Sequence, residues 1–210
     1  YYSDFAVFSF YATKSITCGE GGAIITNHKK YADIIKSISN NGMTKPAFKR
    51  FENNKYIPWD VYDYGFKANL SDINASILEE QVINYTKTAK IKKKIFNEYK
   101  HALSSIKQIS LPTENKNKNR DYYLFPIGVK SNIRNKLISF LLENKIFVTV
   151  NFRSITNLSY YKKKYKVFDC KESKKWGEET LSLPFHSKIT KNEIKIVSKK
   201  IQEFFSKTIQ

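Results

Sequence analysis

The chain has 210 residues, of which 41% are apolar and 15% aromatic, enough to bury a core and too hydrophobic for a disordered segment. Lys and Arg number 37 against 19 Asp and Glu, a formal charge of +18 that draws anions of any kind, nucleic acid, membrane surface or phosphorylated metabolite alike. The lysines are dispersed among Asn and Ile, as in Lys90–Lys94 and Lys162–Lys164, and read as a solvated face, so charge alone selects no partner. Cys18 and Cys170 stand far apart with no CxxC or Cys/His spacing, which argues against zinc and fits a reducing cytoplasm. No apolar run approaches the ~20 residues that cross a bilayer. The sequence opens on Tyr1-Tyr2 and enters an apolar run almost at once, so it reads as a fragment of a longer chain.

In chain order, residues 4–10 are rich in Phe and Val and suit a buried strand. A polar, glycine-bearing segment follows from Tyr11 to Gly22, and Ala23–Thr26 reads as a second strand. Tyr31, Ile34, Ile35 and Ile38 keep helical spacing between His28 and Ser39, with Asn40-Asn41-Gly42 as the stop. Residues 43–70, with Pro46, Pro58 and Trp59, form a segment too long to be an idle connection. Ser71 is a good helix N-cap, with Asp72 in the first turn. Apolar residues from Ile73 to Leu103 then keep one helical rhythm, long enough to bridge two domains. Beyond it the pattern alternates: strand Tyr122–Val129, helix Asn132–Asn144, strand Ile146–Phe152, helices Lys171–Leu181 and Lys191–Phe205. The reading is the end of an α/β domain over 1–85 and a smaller α/β domain over 86–210.

The chemistry concentrates in Phe8-Ser9-Phe10-Tyr11-Ala12-Thr13-Lys14 and the Gly19-Glu20-Gly21-Gly22 turn. A lysine just after a buried strand has its stem held by apolar neighbours, and desolvation there favours the neutral amine that attacks a carbonyl. Ser9 and Thr13 offer hydroxyls to a phosphate, and the glycines let backbone approach an anion. The same residues also fit a surface lysine after a strand, with glycines making a turn.

The segment resembles the imine-lysine signature of the DegT/DnrJ/EryC1/StrS family of aminotransferases, Phe-Ser-Phe-(His)-Ala-Thr-Lys before Gly-Glu-Gly-Gly. Lys14 matches the lysine that forms the imine to the cofactor and Ser9 the serine that contacts its phosphate; Tyr11 stands where histidine is common. Asn41-Gly42-Met43 with Phe48-Lys49-Arg50-Phe51 is similar to the family's Gly-Met loop, and Tyr64–Ala75 to its Gly-Tyr-Lys-Tyr-Asn-Met-Ser-Asp-Ile stretch. There Asn69 matches an asparagine that reaches the cofactor phosphate of the neighbouring subunit, although a helix-entry asparagine bonding local backbone fits equally. Ala68 replaces a usual aromatic. Val148–Arg153, Tyr160-Tyr161 and Leu181–His186 resemble the small domain; Arg153 suits a carboxylate or phosphate of the substrate, or a structural role, and His186 reads as structural.

The resemblance runs through the whole chain in order. It implies a pyridoxal-phosphate-dependent transferase of fold type I, like aspartate aminotransferase. Residues 1–85 would be the end of the large cofactor-binding domain, and 86–210 the bridging helix and small α+β domain. It implies transfer of an amino group, usually from L-glutamate, to a nucleotide-linked keto-sugar that feeds surface polysaccharide or lipopolysaccharide, in a cytoplasmic homodimer with its site at the subunit interface. No metal, nucleic acid or membrane insertion is expected. The family's amino-terminal half holds further cofactor groups, so the fragment alone is expected to be inactive. The alternatives are a sugar dehydratase of the same family, against which Lys14 stands because that branch carries histidine there, and an inert or nucleic-acid-binding basic domain, for which no motif is present.

Overall fold

The computed structural model describes residues 3–43, 51–113, 121–165 and 169–208. The chain divides into two compact units, Tyr1–Tyr85 and Thr86–Gln210.

In the first unit, β1 (Ala6–Ser9) and β2 (Gly22–Ile25) form an antiparallel ribbon in which Ala6 faces Ile25 and Ser9 faces Gly22. The sequence suggests a buried strand here, but within this chain Val7 and Phe8 are exposed, as are Ile24 and Ile25. Successive strand residues point to opposite faces, so the adjacent apolar pairs make both faces of the ribbon apolar, and these side chains stand exposed. Helix α1 (Lys29–Ile38) ends where Asn41 and Gly42 take left-handed backbone, and the Gly42 N–H returns to the Ser37 carbonyl at 2.9 Å.

Within the segment after Met43 lies a hairpin that the sequence reading misses. Strands β3 (Phe51–Glu52) and β4 (Lys55–Tyr56) join through Asn53 and Asn54, both at positive φ, as a two-residue hairpin turn demands. The Phe48–Arg50 part of the loop motif lies outside the described residues.

The single long helix expected from Ile73 to Leu103 is two helices, α2 (Asp72–Ile83) and α3 (Tyr85–Leu103). Between them the Asn84 side-chain amide donates to the Glu80 carbonyl at 3.0 Å, a local bond of the kind by which Asn competes with helical continuation. At the other end of α2, the Ser71 hydroxyl accepts the Asn74 N–H at 3.2 Å, so the expected N-cap is present.

The second unit holds the core. Strands β5 (Ile109–Ser110), β6 (Phe125–Val129) and β7 (Thr180–Leu183) form an antiparallel sheet in that order. Phe96 and Tyr99 of α3 meet Phe125 of β6 at ring distances of 5.0 and 4.9 Å. Leu137 and Leu141 of α4 (Ser131–Glu143), and Ile194, Val197 and Ile201 of α7 (Lys191–Thr208), belong to the same buried cluster. Each such side chain contributes about 1.5–3 kcal/mol. Two short helices, α5 (Ser159–Lys164) and α6 (Lys171–Glu179), complete the unit. The strand expected over Ile146–Phe152 reduces to one bridge, Thr149 with Ser182, because the chain then turns into a 3-10 segment at Ile155–Asn157.

Candidate active site

Ser9 closes β1, and the loop that follows carries Lys14 before the chain returns in β2. That loop is held by its own backbone. The Phe10 N–H donates to the Gly21 carbonyl at 2.8 Å, and the Cys18 N–H to the Phe10 carbonyl at 3.1 Å. The Thr17 hydroxyl also donates to the Phe10 carbonyl, at 3.1 Å, and accepts the Gly19 N–H at the same distance. Lys14 donates its backbone N–H to the Tyr11 carbonyl at 2.9 Å, closing a turn, and its side chain is half-buried. The Ser9 hydroxyl is exposed and accepts the Tyr11 N–H at 3.4 Å. A hydroxyl at the strand end and an amine five residues on therefore sit on one tightly hydrogen-bonded loop.

Residues far along the chain join this loop. A β-carbon on Gly21 would lie 2.8 Å from the Cys18 sulfur and 3.0 Å from a methyl of Leu70, so both side chains pack closely against this turn and would have to shift for any larger residue. The Asn74 side-chain amide donates to the Glu20 carbonyl at 3.1 Å, tying the first turn of α2 to the same turn. Asn69, exposed, immediately precedes Leu70. The first unit thus brings the segment of Asn69 to the end of the ribbon that holds Ser9 and Lys14. The sequence explains the glycines by anion approach; the structure adds the packing of Leu70 and Cys18. A signal for that contact would be hard to find by spacing, since it joins residues about fifty positions apart.

The Asn69 segment is itself clamped. The Phe66 N–H donates to the Ile38 carbonyl at 2.6 Å, the Asn41 N–H to the Phe66 carbonyl at 2.9 Å, and the Ala68 N–H to the Ser39 carbonyl at 2.9 Å. Gly42 and Gly65 meet backbone to backbone within this neck.

Arg153 lies in the second unit, exposed, on the rim of a cleft of about 350 Å³ that it shares with Arg134, Ser154, Asn157 and Glu178. Arg134, which the sequence reading passes over, donates to the Thr180 carbonyl at 3.4 Å, and its buried Nε has no partner among the described residues. His186 is exposed, with its backbone carbonyl accepting the Ile189 N–H at 3.2 Å; His28 faces Asp4 at 3.6 Å. Among the described residues no group of His, Cys, Asp and Glu is placed to hold a metal ion, and no helix is long and apolar enough to cross a membrane.

A primary amine and a hydroxyl on one loop, beside the backbone N–H groups of a glycine turn, suit a phosphate-bearing aldehyde. The model of the DegT/DnrJ/EryC1/StrS aminotransferase family matches residues 1–202. The spore coat polysaccharide biosynthesis protein SpsC of Bacillus subtilis is 28% identical over 207 residues, 95% of this chain and 53% of SpsC. Among solved structures, PseC of Helicobacter pylori, an aminotransferase involved in the biosynthesis of pseudoaminic acid, superposes with a TM-score of 0.87 at 19% identity, covering 98% of this chain and 54% of PseC. Spr1654 of Streptococcus pneumoniae, in its PMP form, gives a TM-score of 0.87 at 22% identity over 98% of this chain and 54% of its own. These likenesses establish the expected fold, that of PLP-dependent transferases of type I. The chain spans about half the length of the curated relatives it matches.

Proposed function

Because the chain belongs to the DegT/DnrJ/EryC1/StrS aminotransferase family, we propose that it is the carboxy-terminal part of a pyridoxal-phosphate-dependent sugar aminotransferase with Lys14 as its catalytic amine. The observation that carries this reading is the loop between β1 and β2, where Ser9, Lys14 and the Gly19–Gly22 turn resemble the family's motif and the Phe10–Gly21 and Cys18–Phe10 backbone bonds close the loop around them.

Pyridoxal phosphate supplies an aldehyde that condenses with amines and a ring that takes up electron density from a breaking bond. The residues of this chain do the rest. The Lys14 amine would hold the cofactor aldehyde and, when free, would carry a proton to and from the substrate carbon. The Ser9 hydroxyl donates to the phosphate. Asn69 donates its carboxamide to the phosphate held by a second copy of the chain, which makes the enzyme a homodimer with its site at the subunit interface. Arg153 pairs with an anionic group of the substrate.

The donor is L-glutamate and the acceptor a nucleotide-linked keto-sugar, destined for a surface polysaccharide such as lipopolysaccharide and made in the cytoplasm. The polysaccharide biosynthesis in the name of SpsC and the pseudoaminic acid biosynthesis of PseC support a sugar acceptor. By itself the 210-residue chain turns over no substrate, since it spans about half of its relatives. Lys14 stands against the dehydratase branch, where histidine takes that place.

The test is borohydride reduction of the full-length protein with pyridoxal phosphate, followed by peptide mapping. The reading expects the label on Lys14, and loss of the visible absorbance band in Lys14→Ala. A label on another lysine, or on none, ends it. Incubation with glutamate and a panel of nucleotide keto-sugars then identifies the acceptor.

A further inference from the structure

The cleft of about 350 Å³ beside Arg153 is lined by residues of the second unit alone and lies at the lower end of the range for ligand clefts. Three charged side chains reach it from three parts of the chain. Arg134 comes from α4, and its bond to the Thr180 carbonyl at 3.4 Å leaves its other donors uncommitted among the described residues. Glu178, near the end of α6, stands just before Thr180 in the chain. Its neighbour Gly177 packs directly on the backbone that bears Arg153. A β-carbon there would lie 2.7 Å from the Ser154 nitrogen and 3.2 Å from the Arg153 Cα. The contact at Gly177 and the bond to Thr180 thus gather two guanidinium groups and one carboxylate around one small cavity. None of the three forms an ion pair among the described residues, and Asn135 and Asn157 add carboxamides to the lining.

We infer that this cleft binds a free acidic α-amino acid of the L-glutamate type. Charges that meet around a cavity without pairing one another are left to a ligand of complementary charge. Two guanidinium forks suit two carboxylates, and one carboxylate suits one ammonium. An acidic amino acid carries that set. Inorganic phosphate or a sugar phosphate offers Glu178 no cation and sets its own negative charge against that carboxylate. A neutral amino acid leaves one guanidinium unmatched. That the bound amino acid is the donor of the transfer rests on the proposed function. The binding does not, since every group named belongs to the second unit.

The test is calorimetric titration of the full-length Lys14→Ala protein, which forms no imine, with L-glutamate and with glutarate, its counterpart without the ammonium. Saturable binding of L-glutamate is expected. Arg153→Gln weakens both ligands by about tenfold, the worth of a charge-assisted hydrogen bond. Glu178→Gln weakens L-glutamate by a similar factor and leaves glutarate as tight as before or tighter. Because Arg153 and Glu178 are exposed, both variants keep the fold, and retained glutarate binding proves it for Glu178→Gln. No binding of L-glutamate overturns the proposal. So does L-glutamate binding that either variant leaves unchanged, or an equal loss of both ligands in Glu178→Gln. Tighter binding of inorganic phosphate than of L-glutamate also overturns it and makes the cleft a simple anion site. The reading of Lys14 is judged apart from this, by borohydride labelling of the wild type. Labelled Lys14 with no L-glutamate binding ends this inference alone, and L-glutamate binding with Lys14 unlabelled ends the proposed transfer alone.

Discussion

The Tyr99 hydroxyl donates to the Pro184 carbonyl at 2.9 Å, across 85 residues of sequence, while its ring stacks on Phe125 at 4.9 Å. One side chain thereby joins α3 to the end of β7 and to β6. Removing the hydroxyl strands the Pro184 carbonyl, so Tyr99→Phe is expected to lower stability by about 1–2 kcal/mol. Tyr99→Ala, which also opens a cavity, costs about 3–5 kcal/mol. Urea unfolding followed by near-ultraviolet circular dichroism measures both.

The same phenol gives a pH signature. Burial, with the nearby Glu193 charge adding to it, holds its pKa well above the ordinary 10.0. The unfolded chain therefore releases this proton at a lower pH than the folded one. The stability tied to Tyr99 is complete below pH 10 and declines as pH rises above it. Melting of the wild type should steepen its decline above about pH 10 relative to Tyr99→Phe. Parallel curves for the two proteins would contradict the assignment.

Helix α7 begins with a reciprocal cap. The Glu193 carboxylate accepts the Thr190 N–H at 2.7 Å, and the Thr190 hydroxyl accepts the Glu193 N–H at 3.2 Å. Thr190→Ala is expected to cost about 1 kcal/mol. The Thr190 backbone bond, and then its hydroxyl bond, hold the Glu193 carboxyl below its usual 4.5. The cap's contribution is thus present above pH 4.5 and disappears as pH falls through the lowered value, so the melting gap between wild type and Thr190→Ala should narrow in acid. Thermal scans at neutral and acid pH check this.

Gly42 combines φ of 70° with a site where a β-carbon would run into the Asp63 carbonyl. Gly42→Ala should destabilise the first unit by more than 1 kcal/mol, about the cost of an incompatible backbone site. Hydrogen exchange at the Asn41 and Ala68 amides, whose bonds flank Gly42, reports the loss directly.

For the cofactor loop, Ser9→Ala in the full-length protein should weaken pyridoxal phosphate retention by roughly tenfold, the worth of one hydrogen bond to a charged group. Borohydride should still label Lys14. Unchanged retention would remove Ser9 from the site.

Features set by neighbours in sequence are the ones legible before the structure. The Ser71 cap, the stop at Asn41-Gly42 and the linear order of Ser9, Lys14 and the glycine turn are of this kind. Local signals also exist for two features that were passed over. Asn53-Asn54 is a pair that tolerates left-handed backbone, and Thr190 three residues before Glu193 is the signature of a helix start. Other features are decided elsewhere. The break at Asn84 interrupts an apolar rhythm that runs through it without change, because an amide side chain outcompetes the next turn. The segment Ile146–Phe152 has strand composition yet pairs only at Thr149. The nearness of Asn69 to the Lys14 loop rests on Asn74 reaching Glu20 and Leu70 filling the space beside Gly21, contacts that no periodicity announces.

The bonds that join residues 38–41 to residues 66–68 close the long intervening segment at its base, like a drawn purse string. Extra residues at the Asn53-Asn54 tip would then alter what lies above the knot while leaving Asn69 and the start of α2 in place. Each doubling of a loop's length costs only about 0.6 kcal/mol in closure entropy. Insertion at that tip is therefore expected to be tolerated, with Asn69 and the start of α2 kept in register by the knot beneath.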